Sequence, residues 1–216
     1  MGIIQLTQSR AILSLVIFTI LILSFQSAGN LNNSDPVVAK MADANNVISK
    51  LKVSVRQVSS STSSSSSSSP PKLAIAVTNT YSSPVTILSW NSPLDPLALQ
   101  LGLVSFSAAA QAGSDDDDYT PIQIPTIQIR RKMPPETDAL VTIGAGQTKE
   151  QVLELRDPIV PLDKLRGRVR VACAGEWMSV WLLEVDAVPK ASLEKAGASD
   201  DAYRGPFQSE AVDMEL

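Results

Sequence analysis

Two short basic runs hold the side chains in this sequence best suited to chemistry, and that chemistry is recognition rather than bond making. Arg130, Arg131 and Lys132 are consecutive, whereas Arg166, Arg168 and Arg170 alternate with other residues. Alternation at period two sets the last three on one face of an extended strand. Were the two runs neighbours, Arg130, Arg131, Arg166, Arg168 and Arg170 would form one basic face. That face could meet an acidic partner or the chain's own Asp115-Asp116-Asp117-Asp118 run; the alternative is an ordinary polar strand face. The four aspartates offer hard oxygen ligands of the kind Ca²⁺ prefers. Adjacent aspartates point in different directions, however, and lack the spaced ligands and glycine of a calcium loop, so they form a solvated, self-repelling loop.

Catalytic arrangements are harder to assemble. The chain has no histidine and a single cysteine, which removes Ser-His-Asp and Cys-His nucleophiles, His-ligated zinc and any intramolecular disulfide. Cys173 alternates in phase with Val169 and Val171, which makes it a buried, inert thiol, with intermolecular pairing as the alternative. Asp200 with Asp201, and Glu150 with Glu154, lack an apolar setting that would split their pKa values for acid and base work. Trp90, Trp177 and Trp181 could form a ligand platform. Trp177 and Trp181, four residues apart, fall on one strand face, where a β-sandwich core absorbs such pairs. The sequence therefore predicts no enzyme, no metal and no cofactor. A formal net charge of -4 over 216 residues also argues against nucleic acid as a partner.

The elements that carry these residues are short and extended. Leu51–Val58 alternates apolar and polar residues, Leu73, Ile75 and Val77 alternate with Ala74, Ala76 and Thr78, and Val169, Val171 and Cys173 face away from Arg166, Arg168 and Arg170. Val85–Trp90, Ala139–Ile143 and Thr148–Arg156 read as further strands, and a last strand spans Trp177–Val185. Ile122, Ile124, Ile127 and Ile129 share two runs broken by Pro125, which places that piece at an edge or a bulge. Residues 59–71 form a Ser/Pro-rich loop inside the domain, a secondary candidate for O-glycosylation. Residues 108–120 form an Asp-rich loop. The sandwich is expected over residues 48–187, between a flexible segment at 30–47 and a disordered acidic tail at 188–216 that holds a short helix near Ser192–Ala196.

Met1–Gly29 is expected to be a signal peptide. Arg10 closes a short positive region, and residues 11–25 are apolar but shorter than the roughly 20 residues a membrane span requires. Ser27-Ala28-Gly29 supplies small residues for cleavage. The alternative is a retained anchor through residues 11–25, the one route to a membrane. Asn32-Asn33-Ser34 makes Asn32 a glycosylation acceptor, whereas Asn91-Ser92-Pro93 is blocked by its proline.

Val77-Thr78-Asn79-Thr80 and Ile87-Leu88-Ser89-Trp90-Asn91-Ser92-Pro93-Leu94-Asp95 resemble the pro-region of fungal deuterolysin-type metalloproteases. So do Arg130-Arg131, the turn Ile143-Gly144-Ala145-Gly146-Gln147-Thr148, and Leu165–Val171 up to Gly175. The similarity covers about Leu51 to Val185, without a catalytic domain. Gly197-Ala198-Ser199-Asp200-Asp201-Ala202-Tyr203 echoes that family's aspartate-ligand motif, but no histidine exists to share a metal. Seven to nine short strands with Gly/Pro/Asn/Ser punctuation point by themselves to an all-β fold, an antiparallel β-sandwich, and the resemblance implies that it is immunoglobulin-like. It also implies a secreted, non-catalytic binding module for an extracellular protein, inhibiting or assisting a protease. The alternative is a structural sandwich displayed at the cell surface or tethered to the membrane.

Overall fold

Leu51, Val53 and Val55 turn inward while Lys52, Ser54 and Arg56 face water, so period-two patterning forms β1 (Leu51–Val58) as the sequence predicts. The computed structural model describes residues 43–58, 70–109 and 119–215. The expected signal peptide, Asn32, most of the 30–47 segment, residues 59–69 and Asp115–Asp118 lie outside them. β1 pairs antiparallel with β2 (Lys72–Asn79), from Leu51 opposite Asn79 to Val58 opposite Lys72. The serine tract therefore joins two hydrogen-bonded strands of one sheet. β7 (Thr148–Glu154) pairs with the other side of β2 and completes a three-stranded sheet.

The second sheet is organised by β8 (Arg168–Trp181), the longest strand at 14 residues. On one flank β4 (Val104–Ala109) pairs with its first half and β3 (Val85–Leu88) with its end. β5 (Tyr119–Ile122) extends the sheet beyond β4, and β6 (Leu140–Ile143) extends it beyond β3. The other flank of β8 belongs to β9 (Tyr203–Gln208) and β10 (Val212–Glu215). The core between the two sheets takes Leu73, Ile75 and Val77 from one, and Phe106, Val171 and Trp177 from the other. Burial of each such side chain contributes about 1.5–3 kcal/mol.

The C-terminal segment corrects the expected disordered tail and raises the count to ten strands among the described residues. The compact unit runs from Ala44 to Leu216 rather than over 48–187. β9 and β10 act almost as one strand along β8, spliced at Ser209. The Ser209 N–H donates to the Cys173 carbonyl at 2.8 Å, and its Oγ accepts from the Cys173 N–H at 2.9 Å. The hydroxyl replaces a missing backbone partner at the break. Phe207 lies over Gly175 and packs on Trp177, ring centres 4.9 Å apart; a Cβ on Gly175 would sit 2.7 Å from the Phe207 ring. The helix at Lys190–Glu194 lies close to where the sequence predicts it. Residues 43–48 are also helical, with Val47 and Ile48 buried, so the end of the expected flexible segment is part of the unit.

A bulge in β8 corrects a second expectation. The pairing to β9 slips between Trp177 and Val180, which reverses the alternation beyond it. Trp177 and Val180 enter the main core, whereas Trp181 joins a separate cluster with Leu88, Ala139, Val188 and Ala202. The two tryptophans are thus both buried, but in different clusters.

Asn79 joins two loops that are distant in sequence. Its fully buried amide donates to the carbonyls of Ser83 and Ile143, both at 2.9 Å, and to that of Gly144, while its Oδ1 accepts from the Tyr81 N–H. The Gly146 N–H closes the same knot on the Asn79 carbonyl, in a turn whose left-handed backbone at φ 70 suits glycine. Asn79→Leu is expected to cost about 2 kcal/mol, because it strands several buried polar groups at once. Urea unfolding midpoints check this, and a midpoint unchanged from wild type contradicts it.

Candidate binding cleft

The segment after β3 turns sharply because its polar side chains bind their own backbone. Ser92 Oγ accepts from the Leu94 N–H at 3.1 Å, and Asn91 takes a left-handed φ of 54, which asparagine tolerates better than most residues. Asp95 is the centre of this turn. Fully buried, it accepts from the Leu97 N–H at 2.9 Å and the Asn91 N–H at 2.8 Å, and pairs with the Arg131 guanidinium at 2.5 Å. Gln151 reaches in from β7 and donates to the carbonyls of Pro93 and Asp95. A charge this deep must have a partner, and Arg131 supplies it.

Arg131 also stands over Trp90, its Cζ 5.7 Å from the ring centre. Beside this pair lies an open cleft of about 330 Å³. Its lining includes the apolar side chains of Trp90, Pro96 and Ala139, the cations of Arg130, Arg131 and Lys132, and the carboxylates of Glu136 and Asp138. Lys132 and Glu136 pair at 3.0 Å in the open. The Ser89 N–H donates to the Ala139 carbonyl at 2.8 Å, which fixes the two sides of the cleft to each other.

The remaining basic residues lie in a different network. Arg168 and Arg170 on β8 both donate to Asp213 of β10, at 3.0 Å each. Tyr119 of β5 places its ring 3.7 Å from the Arg170 Cζ and donates its hydroxyl to Asp213 at 3.0 Å. Arg166 is exposed in the turn before β8. The structure thus brings Arg168 and Arg170 together and gives Arg130 and Arg131 to the cleft. The single basic face envisaged from sequence is divided, because the stretch after Ile122 leaves the sheet instead of lying beside β8.

Hydrogen bonds from Arg170 and Arg168 hold the Asp213 pKa at about 2 against the opposing effect of desolvation, with a smaller contribution from Tyr119. Its unfolded value is about 3.9. Since the folded value is the lower one, the contact stabilises the fold above about pH 4, and that contribution is lost as the pH falls towards 2. A carboxyl titration by NMR is expected to place Asp213 near 2, and a midpoint near 4 would mean the network does not form in solution.

The other candidate groups hold the fold. Cys173 is buried, and desolvation pushes its thiol up to about 12, which disfavours intermolecular pairing in the native state. Asp201 accepts from the hydroxyls of Ser192 and Ser199. Glu150 pairs with Arg56 at 2.7 Å and Glu154 with Lys72 at 3.5 Å. Among the described residues no group of three potential ligands could hold a metal ion, and no helix is long and apolar enough to cross a membrane. Sequence reasoning overlooked Asp95, Glu136 and Asp138. A signal for Asp95 existed, since an aspartate between apolar residues in a proline-flanked turn needs a cationic partner when buried.

Comparison with known proteins adds two findings. A family model described as an immunoglobulin-like domain matches residues 50–216, through the end of β10. An uncharacterized secreted protein of Arthroderma benhamiae is 29% identical over 144 residues, which cover 66% of this chain and 68% of that protein.

Proposed function

Since this chain belongs to the immunoglobulin-like domain family, we propose that it acts outside the cell as a non-catalytic binding module, with the cleft beside Trp90 as its recognition site. The observation that carries this reading is the use made of the reactive groups. Asp95 and Asp201 are engaged in holding turns together, and the Cys173 thiol is buried in the core, away from solvent. What remains open to a partner is a shaped, charge-lined surface. The likeness to a secreted protein supports an extracellular setting.

The finer reading is that the partner is an extracellular protein, a protease in the reading that the pro-region resemblance suggests. Two of the motifs behind that resemblance are joints of the fold: Asn79 binds the Gly144–Gly146 turn, and Asp95 binds Arg131. They support a shared architecture more than a shared partner. The immobilised protein, exposed to an extracellular protein fraction, is expected to retain a partner that Arg130→Ala/Asp138→Ala releases. Retention indifferent to these substitutions, or no retention, would count against the cleft as the recognition site.

A further inference from the structure

We infer that the cleft takes a neutral pyranose residue of an oligosaccharide, an inference that rests on the cleft being the recognition site. Its charges are balanced locally. Arg131 is answered by Asp95 below it and Lys132 by Glu136 beside it, which leaves Arg130 and Asp138 as one further cation and anion on the border. A ligand of strong net charge of either sign would gain from one side and be repelled by the other. The cleft instead favours a ligand whose groups both donate and accept over a short span. Arginine and lysine can only donate, and an ionised carboxylate can only accept. A hydroxyl does both, and neighbouring hydroxyls on a sugar ring repeat the pair every few ångströms.

The carbon surface of the cleft fits the rest of such a ring. Half-buried Trp90 and exposed Pro96 supply it, with Ala139 almost fully buried at its base, and such a surface suits the C–H face of a pyranose. About 330 Å³ is at the small end of ligand clefts, adequate for one or two sugar residues. The walls are fixed before any ligand arrives. The Asp95–Arg131 pair secures Arg131, and the bond from the Ser89 N–H to the Ala139 carbonyl ties the two sides together. Little ordering cost is then left for binding.

Two sources would offer this chemistry: a free wall-type polysaccharide, or the glycan of a secreted glycoprotein. Titration of the ¹⁵N-labelled protein with β-1,3-gluco-, chito- and manno-oligosaccharides tests the first, and a high-mannose glycopeptide tests the second. One of these probes is expected to shift the Trp90 indole and Ala139 amide signals, with a dissociation constant on the order of 1 mM for a single residue. Arg130→Ala and Asp138→Ala, both at exposed positions, should each weaken that binding about tenfold while leaving the fold's spectrum intact. No shift with any probe at about 10 mM, or a dissociation constant left unchanged by both substitutions, would overturn the inference. If the same variants nevertheless release a captured extracellular protein, the cleft remains the recognition site and only the saccharide is wrong. If capture is also unaffected, both readings fail.

Discussion

A chain ending at Ala198 is expected to lose its native fold entirely. The missing segment carries β9 and β10, which occupy one whole flank of β8. With them go Phe207, packed on Trp177, and Met214, buried in the main core, as well as Ala202 from the cluster around Trp181. Truncating one buried Phe or Met costs about 2–5 kcal/mol, and the backbone pairs of two strands are lost in addition. The sum is comparable to the roughly 5–15 kcal/mol by which a domain is normally stable. Near-ultraviolet circular dichroism should show the tryptophan bands flattened in the truncated chain. A milder test is Phe207→Ala, expected to cost about 3 kcal/mol in urea unfolding. A truncated chain that unfolds cooperatively near the wild-type midpoint would show that β9 and β10 are dispensable.

Arg131→Met carries the next largest effect, about 3 kcal/mol. The substitution keeps much of the side-chain volume but leaves the carboxylate of Asp95, which has no exposure, with two backbone N–H partners and no cation. Removing one member of a buried pair costs about 3–5 kcal/mol; the Arg131 side chain is a quarter exposed, which places the value at the low end. Its neighbour Arg130 is exposed, and Arg130→Met should shift stability by no more than about 0.5 kcal/mol. The contrast between adjacent arginines is the informative readout. Equal urea midpoints for the two variants would deny Asp95 its dependence on Arg131. A double-mutant cycle with Asp95→Asn would then measure the coupling directly.

Local patterns carried the fold in the sequence, and long-range contacts carried the site. Leu51, Val53 and Val55 announce β1 through alternation alone, and Val169, Val171 and Cys173 announce the first half of β8. The alternation misleads at Trp181, because a bulge reverses the faces and leaves no mark at period two. The C-terminal strands were equally hidden. Tyr203, Gly205 and Phe207 alternate, but Gly205 and Pro206 read locally as breakers, and β10 is four residues long. Pro206 is tolerated because β9 borders the sheet, pairing with β8 on one side. Asp95 and Arg131 are 36 residues apart, and Asn79 meets Gly144 across 65, so neither contact is visible to any short window.

Hydrogen exchange on the protein with its captured extracellular partner tests the central claim most directly. Recognition through the cleft predicts that slowed exchange appears in residues 89–96 and 130–139, with β9 and β10 exchanging as they do in the unbound protein. Protection concentrated on β7 or on the flank of β8, with the residues around Trp90 unchanged, would contradict it.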